Sequence, residues 1–441
     1  MSQDYRITFY TGTYSDSSSK ADVFIQIKGA DGKTSPLTAA VIANGKYLLE
    51  TGSMYTTTIP FQEKIDSPAS IILKVKGNKS NWYLDGVKIE ELRVVNVKSS
   101  KGPWFFARSI PKATYWFPYY NWINKDDKND TFTISIPLGQ KMLHYNYLGN
   151  YPSGIKGGLN GEMQGVCTDR QKNWFFTQNG NLWKIPFKEE LTQQFNGPNS
   201  NGVEVIYTKD HLGDLDYFNK FLFVPVQDQE HSIRVYDADT LKPIAYQKLS
   251  QVPYGPGWVA INPTNQLLYT SQSDYKSSNS NNLIYCYSIN FEELNKAKRS
   301  GKYDKVSFLQ YHSAVKLYQQ GGAIRELTDM QGGCFDFDNH LHIINGMDKS
   351  DDVHIRVYTV SKNPIRNSTE RVDEILMSRQ CAVSSDWEGF RFENSGTYHE
   401  PEGMTYFPTN TDTTPGISGS LHVLMLANGT SKWYFKHYSE V

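Results

Sequence analysis

No run of 18 apolar residues occurs anywhere in the 441-residue chain. A helix needs about 20 to cross a bilayer, so a membrane-spanning helix is excluded. The first residues, Met1-Ser2-Gln3-Asp4-Tyr5-Arg6, go straight into strand pattern. They lack a basic segment followed by an apolar one, so no signal peptide is expected. The chain reads as soluble, and as cytoplasmic or exported by a non-classical route. Cysteine is scarce: four residues, at spacings that match no metal motif, argue against a disulfide scaffold or a zinc site. Charge of one sign is lacking too. The 45 basic and 46 acidic residues leave a net −1, with no basic stripe, so nucleic acid is not an expected partner. Also missing are a Gly-rich phosphate loop, a Gly-x-Ser-x-Gly elbow and a Cys/His nucleophile signature. Their absence removes common marks of phosphoryl transfer and covalent hydrolysis.

Aromatics, by contrast, are plentiful. The 29 Tyr, 22 Phe and 9 Trp favour strands, so an all-β fold is expected. Across its last two thirds the chain repeats one short phrase five times, each with a small residue leading into a strand. The copies are Glu162-Met163-Gln164-Gly165-Val166, His211-Leu212-Gly213-Asp214-Leu215-Asp216, Gly255-Pro256-Gly257-Trp258-Val259, Asp329-Met330-Gln331-Gly332-Gly333 and Glu400-Pro401-Glu402-Gly403-Met404. Turns such as Asn219-Lys220 or Asn262-Pro263 come next. Then follow an apolar strand (Phe221-Leu222-Phe223-Val224) and an aromatic-alternating one (Ile233-Arg234-Val235-Tyr236). Recurrence of one β unit at this scale predicts a β-propeller. From Gln164 the anchors are spaced by 50, 44, 73 and 71 residues. The two long intervals carry insertions, and 291–323 holds a helix candidate, Phe-Glu-Glu-Leu-Asn-Lys-Ala-Lys-Arg. Five blades are preferred and six are possible. The last blade is one strand short, and 141–148 is the natural strand to complete it. Cys167 and Cys334 occupy equivalent places in two repeats and are expected as buried free thiols.

The N-terminal part alternates as a half-buried antiparallel sandwich, over 5–12, 22–28, 55–60, 69–76 and 82–97. Tyr5-Arg6-Ile7-Thr8-Phe9-Tyr10-Thr11-Gly12 and Ala21-Asp22-Val23-Phe24-Ile25-Gln26-Ile27-Lys28-Gly29 resemble the opening of a PLAT (LH2, lipoxygenase homology) domain. Trp82-Tyr83-Leu84-Asp85-Gly86-Val87 and Phe117-Pro118-Tyr119-Tyr120-Asn121-Trp122 resemble later segments of that family, in the same order. The resemblance covers about 3–123. It implies binding to lipid, a membrane surface or a protein partner, with calcium in some members. Asn124-Lys125-Asp126-Asp127-Lys128-Asn129-Asp130 reads as a linker. The expected domains are therefore 1–123, a PLAT-like sandwich, and 131–441, a propeller.

In a propeller the repeated phrase becomes a ring about a central channel. Gln164, Asp214, Trp258, Gln331 and Glu402 would form one tier, and Glu162, Asp329 and Glu400 a second. Carboxylates crowded about one axis repel unless a proton or a cation lies between them. Oxygen donors suit Ca²⁺ or Mg²⁺, so Asp214 and Glu402 are candidate metal ligands, with water as the alternative filling. His211 and His399 are candidate general bases beside them. The phrases around them resemble, loosely, those of metal-dependent propeller hydrolases such as lactonases and phytase-like phosphatases. In the sandwich, Asp22 stands where the PLAT resemblance implies a calcium-loop carboxylate, with Asp16 and Asp31 on neighbouring loops. Trp104, Phe105, Phe106, Tyr115 and Trp116 are candidate tips for a membrane or partner. Three functions stay open. One is a binding protein whose propeller presents a recognition face to an unknown ligand. The second is a metal-dependent hydrolase or lyase, and the third a secreted virulence or toxin component.

Overall fold

The computed structural model describes residues 3–11, 18–50, 53–77, 82–98, 105–123, 131–139, 145–152, 159, 161–227, 231–252, 255–272, 283–318, 330–345, 355–359, 373–376, 399–427 and 432–440. Among these the chain is nearly all β, with 28 strands and one helix. It divides into two compact units, the first over Met1–His144.

The first unit is built from eight strands: β1 (Gln3–Thr11), β2 (Asp22–Gly29), β3 (Thr38–Val41), β4 (Met54–Phe61), β5 (Pro68–Lys76), β6 (Trp82–Lys98), β7 (Phe105–Ile123) and β8 (Thr131–Pro137). They form two four-stranded sheets, ordered β4-β1-β6-β7 and β3-β2-β5-β8. Alternation dictates the faces. In β1, Tyr5, Ile7 and Phe9 point inward; in β2, Val23, Ile25 and Ile27 meet them, and one apolar core draws on all eight strands. Each fully buried large apolar side chain contributes roughly 1.5–3 kcal/mol.

Here the domain boundary differs from the sequence reading. Thr131–Pro137 belongs to the sandwich, as an edge strand paired antiparallel to β5 from Ser70↔Pro137 to Lys76↔Thr131. Ile134 and Ile136 enter the sandwich core while Thr131, Thr133 and Ser135 face out. The period-two alternation was visible in Thr131-Phe132-Thr133-Ile134-Ser135-Ile136. Its partner was not, because pairing to β5 spans some sixty residues of sequence.

The second unit contains five open sheets. Their strands, after β9 (Tyr145–Asn150), run β10 (Met163–Thr168), β11 (Asn173–Pro186) and β12 (Glu204–His211). Then come β13 (Asp216–Phe218), β14 (Phe221–Val226), β15 (Ser232–Asp237), β16 (Pro243–Lys248), β17 (Trp258–Ile261), β18 (Leu267–Ser271) and β19 (Leu283–Ile289). After α1 (Phe291–Ser300) come β20 (Asp304–Lys305), β21 (Leu309–Tyr318), β22 (Met330–Phe335), β23 (His340–Asn345), β24 (Ile355–Thr359) and β25 (Asp373–Leu376). The last are β26 (His399–Thr409), β27 (Gly419–Ala427) and β28 (Lys432–Glu440). The sheets read β10-β11-β12, β13-β14-β15-β16-β20, β17-β18-β19-β21-β25, β22-β23-β24 and β26-β27-β28-β9.

Among the described residues, the named strands of the second unit pair antiparallel except for two short parallel additions, β16 with β20 and β21 with β25, and an isolated parallel bridge joins Asp214 to Trp258. All five phrases fall at the start of a sheet's first strand. Those first strands lie against one another in sequence, β10 to β13 to β17 to β22 to β26, and β26 lies against β10. An apolar layer separates the first and second sheets, another the second and third, another the third and fourth, and another the last and first. The expected completing strand is present: β9 pairs with β28 from Lys436↔Asn150 to Glu440↔Tyr145. The expected helix is α1, capped by the Asn290 side chain, with Leu294 and Ala297 buried. Cys167 and Cys334 are buried free thiols, as expected, and Cys286 is buried too.

Candidate functional site

The repeated phrase carries glycine because backbones meet there. A Cβ at Gly165 would lie 2.5 Å from Asp214 Cα, and one at Gly403 would lie 2.7 Å from Gly165 Cα. One at Gly332 would lie 2.8 Å from Gly403 Cα, and one at Gly213 only 2.1 Å from the Gly257 carbonyl oxygen. Side chains at these positions would hold the first strands apart. Glycine lets them close.

Asp214 occupies the centre of this convergence and is fully buried. Its Oδ1 accepts the Val166 N–H at 3.0 Å; its Oδ2 accepts the Gly333 N–H at 3.1 Å and the Met404 N–H at 3.3 Å. Its own backbone bridges to Trp258, giving its N–H to Gly257 O and taking that of Val259 at 3.0 Å. One residue of the second sheet thereby ties in the first strands of the other four. Burial pushes its pKa up, against the three amide donors, and neighbouring Asp216 adds to the rise. Asp216 is a residue that the tier assignment missed. Its Oδ2 accepts the Ile261 N–H at 2.7 Å, and burial raises its pKa to about 6. The signal was its place two residues beyond Asp214, on the same strand face. Thr177 was also missed; its hydroxyl donates to Gly213 O at 2.8 Å from the second strand of the first sheet.

Polar groups gather beside this hub. Gln164 is buried, with Oε1 2.8 Å from His211 Nε2. Gln331 donates from Nε2 to Glu400 Oε1 at 2.7 Å. Asn179 donates to Glu162 Oε2 at 3.3 Å. Glu402 is buried and its Oε2 has no hydrogen-bond partner. Burial first, then the charges of Glu400, Glu162 and Asp214 and a side-chain hydrogen bond with Glu400, push its pKa well above the usual carboxylate range. Glu402 is thus biased toward its neutral acid form.

Trp258 is a different matter. It is fully buried in the apolar layer between the third and fourth sheets, and its Nε1 donates to Ser271 Oγ at 2.7 Å. It is a packing residue there, because its indole finds more apolar surface between sheets than at their rim. The backbone of His399 pairs with Ala427. Asp329 lies outside the described residues, as do Asp16 and Trp104.

The Asp214 carboxylate does not suit a hard cation. Both Asp214 oxygens point at N–H donors, where a metal would need them free. Among the described residues no group of three His, Cys, Asp or Glu side chains is arranged to hold an ion. In the sandwich, Asp22 Oδ1 accepts the Ala43 N–H at 2.8 Å, and Asp31 pairs with Lys33 at 3.4 Å. Of the candidate membrane tips, Phe105 and Phe106 belong to β7, opposite Lys98 and Val97. Tyr115 packs on the sandwich core, and Trp116 packs on Tyr10 with Lys88 over its ring. Both are half-buried packing groups.

No protein-family model matches the chain, and no curated protein matches it. Solved structures give distant likenesses. A coral 8R-lipoxygenase, described as activated by calcium through a C2-like domain, matches at 15% identity and a TM-score of 0.23 over 40% of this chain and 24% of its own. A calcium-dependent 11R-lipoxygenase matches at 22% identity and a TM-score of 0.22, over 36% of this chain and 24% of its own. The chain thus spans about a quarter of the lipoxygenases it matches. The Myxococcus xanthus glutaminyl cyclase matches at 10% identity and a TM-score of 0.38, over 68% of this chain and 98% of its own. At these TM-scores the likenesses decide neither family nor activity.

Proposed function

We propose that this protein is a binding protein. Its sandwich, PLAT-like in sequence, engages lipid, a membrane surface or a protein partner. Its second unit is a five-bladed propeller that serves as a rigid recognition scaffold. The observation that carries this reading is the centre of the second unit. The carboxylate there is committed to three backbone amides, and glycine backbones pack around it. Such a centre favours rigidity and leaves little room for a substrate to reach reacting groups. The test is co-sedimentation of the full chain with lipid vesicles, alongside turnover assays on esters and phosphate esters with calcium, magnesium or manganese. Vesicle binding without turnover is expected. Turnover by the wild type would overturn the reading.

One observation favours the hydrolase as a second reading. Glu402 is a buried carboxyl whose pKa is raised by burial and by nearby Glu400 and Glu162, and perturbed carboxyls cluster at catalytic sites. On that reading Glu402 donates a proton to a leaving group, and Glu402→Gln abolishes turnover while leaving vesicle binding intact.

A further inference from the structure

Three segments of the sandwich meet at one edge. Ser19 pairs with Leu49, its N–H donating to the Leu49 carbonyl at 2.8 Å. Asp22 stands opposite Lys76 in the β2–β5 register, and its carboxylate takes the Ala43 N–H. Asn44 and Gly45, at φ +48° and +77°, make the tight turn that follows, closed by Lys46 N–H to Ala43 O at 2.9 Å. These contacts shape an open pocket of about 520 Å³ lined by Lys20, Asp22, Asn44, Gly45, Tyr47, Lys76 and Gly77.

Two features of the pocket point to one kind of ligand. Its charge comes first. Lys20 and Lys76 are exposed and have no ion-pair partner among the described residues; their ammonium groups lie over the rings of Tyr47 and Phe24, at 4.2 and 5.0 Å. Asp22, the lone acid among the described lining residues, is held by the backbone of the turn, so that lining is net positive. That is the wrong sign for a dication and the right one for a phosphate, with Asn44 and the Tyr47 hydroxyl as further donors. The second feature is the rim. Of eleven exposed large apolar side chains among the described residues, four fall within 37–54: Leu37, Ile42, Tyr47 and Met54. Ile42 and Tyr47, 45% and 49% exposed, sit on the same turn as the pocket-lining Asn44 and Gly45. Apolar and aromatic groups clustered beside unpaired lysines match a bilayer interface, where anionic headgroups lie just above the acyl chains.

We infer that this pocket binds the phosphate of an anionic lipid headgroup without a metal ion, while Ile42 and Tyr47 enter the interface beside it. The inference rests on the binding-protein reading and names its ligand and its site. Vesicles of neutral phosphatidylcholine, with and without 30 mol% of an anionic phospholipid, are co-sedimented with the full chain in chelator. Binding to the anionic vesicles is expected, and should weaken with salt. Lys20→Gln with Lys76→Gln should weaken it roughly 30-fold, at about fivefold for each lysine near an anionic surface. Lys20→Arg with Lys76→Arg should retain it, and Tyr47→Ala should weaken it on neutral and anionic vesicles alike. Wild-type binding that the Gln pair leaves unchanged overturns the site and leaves the binding-protein reading standing. Binding that appears only with added calcium overturns the metal-free mode. No binding to any vesicle overturns both the site and its lipid reading. Thermal stabilisation by soluble inositol phosphates without vesicle binding moves the ligand from membrane to solution and overturns the membrane assignment.

Discussion

Replacing Asp214 by asparagine isolates the feature on which the second unit is organised. The side chain keeps its size and loses one acceptor oxygen. In the wild type, one N–H reaches Oδ1 and two reach Oδ2. The better orientation of an amide places its oxygen on the Gly333 and Met404 pair and turns its NH₂ toward the Val166 N–H. That leaves one buried backbone donor unpaired and an amide group facing it. Each unsatisfied buried group costs about 1–3 kcal/mol, so the loss is roughly 2–6 kcal/mol. Domains are commonly stable by only about 5–15 kcal/mol, so this is a large fraction. Urea unfolding followed by tryptophan fluorescence reads it, because Trp174, Trp258 and Trp433 are fully buried in the second unit. The transition of that unit should move to lower urea, while that of the sandwich stays in place. A loss under about 0.5 kcal/mol would refute the assignment of Asp214 as a three-way acceptor.

Gly403→Ala should be comparably damaging for a steric reason: its Cβ would stand 2.6 Å from Asp214 Oδ1 and 2.7 Å from Gly165 Cα. Overpacking of this kind costs about 1–3 kcal/mol or more, measured by the same urea titration. Tyr145→Ala should cost about 3–5 kcal/mol by loosening β9, since its buried ring and its hydroxyl, 2.9 Å from His342 Nε2, fasten the last sheet to the fourth. Glu402 sets a pH dependence. Above 4.5, its ordinary value, the unfolded chain releases this proton while the folded one keeps it, so stability falls as pH rises toward the raised folded pKa. Glu402→Gln, a neutral isostere, should gain on the wild type as pH climbs above 4.5 in thermal melts, and a difference independent of pH would contradict the raised pKa.

What the sequence determined alone were features of short range and fixed period. Alternation in Tyr5, Ile7 and Phe9 sets a strand face whatever it packs on. The phrase around Gly165, Gly332 and Gly403 marks first strands because only glycine allows backbones to approach that closely. The strand that completes the last sheet was legible from a strand deficit, and α1 from the run Phe-Glu-Glu-Leu-Asn-Lys-Ala-Lys-Arg. What only the tertiary structure decided was how positions far apart in sequence meet. Five equivalent anchors looked interchangeable, yet Asp214 alone takes the centre, Trp258 turns into an apolar layer, and the pKa of Glu402 is raised by burial first and then by Glu400 and the distant Glu162 and Asp214. β8 joined the sandwich because its partner β5 lies across the hairpin of β6 and β7. Asp22, which reads by position as a calcium ligand, takes the N–H of Ala43, a residue that only folding brings to it. The physical reason is common to these cases. Local pattern fixes which side chains share a face, whereas burial, charge and hydrogen-bond partners depend on what the rest of the chain brings to that face.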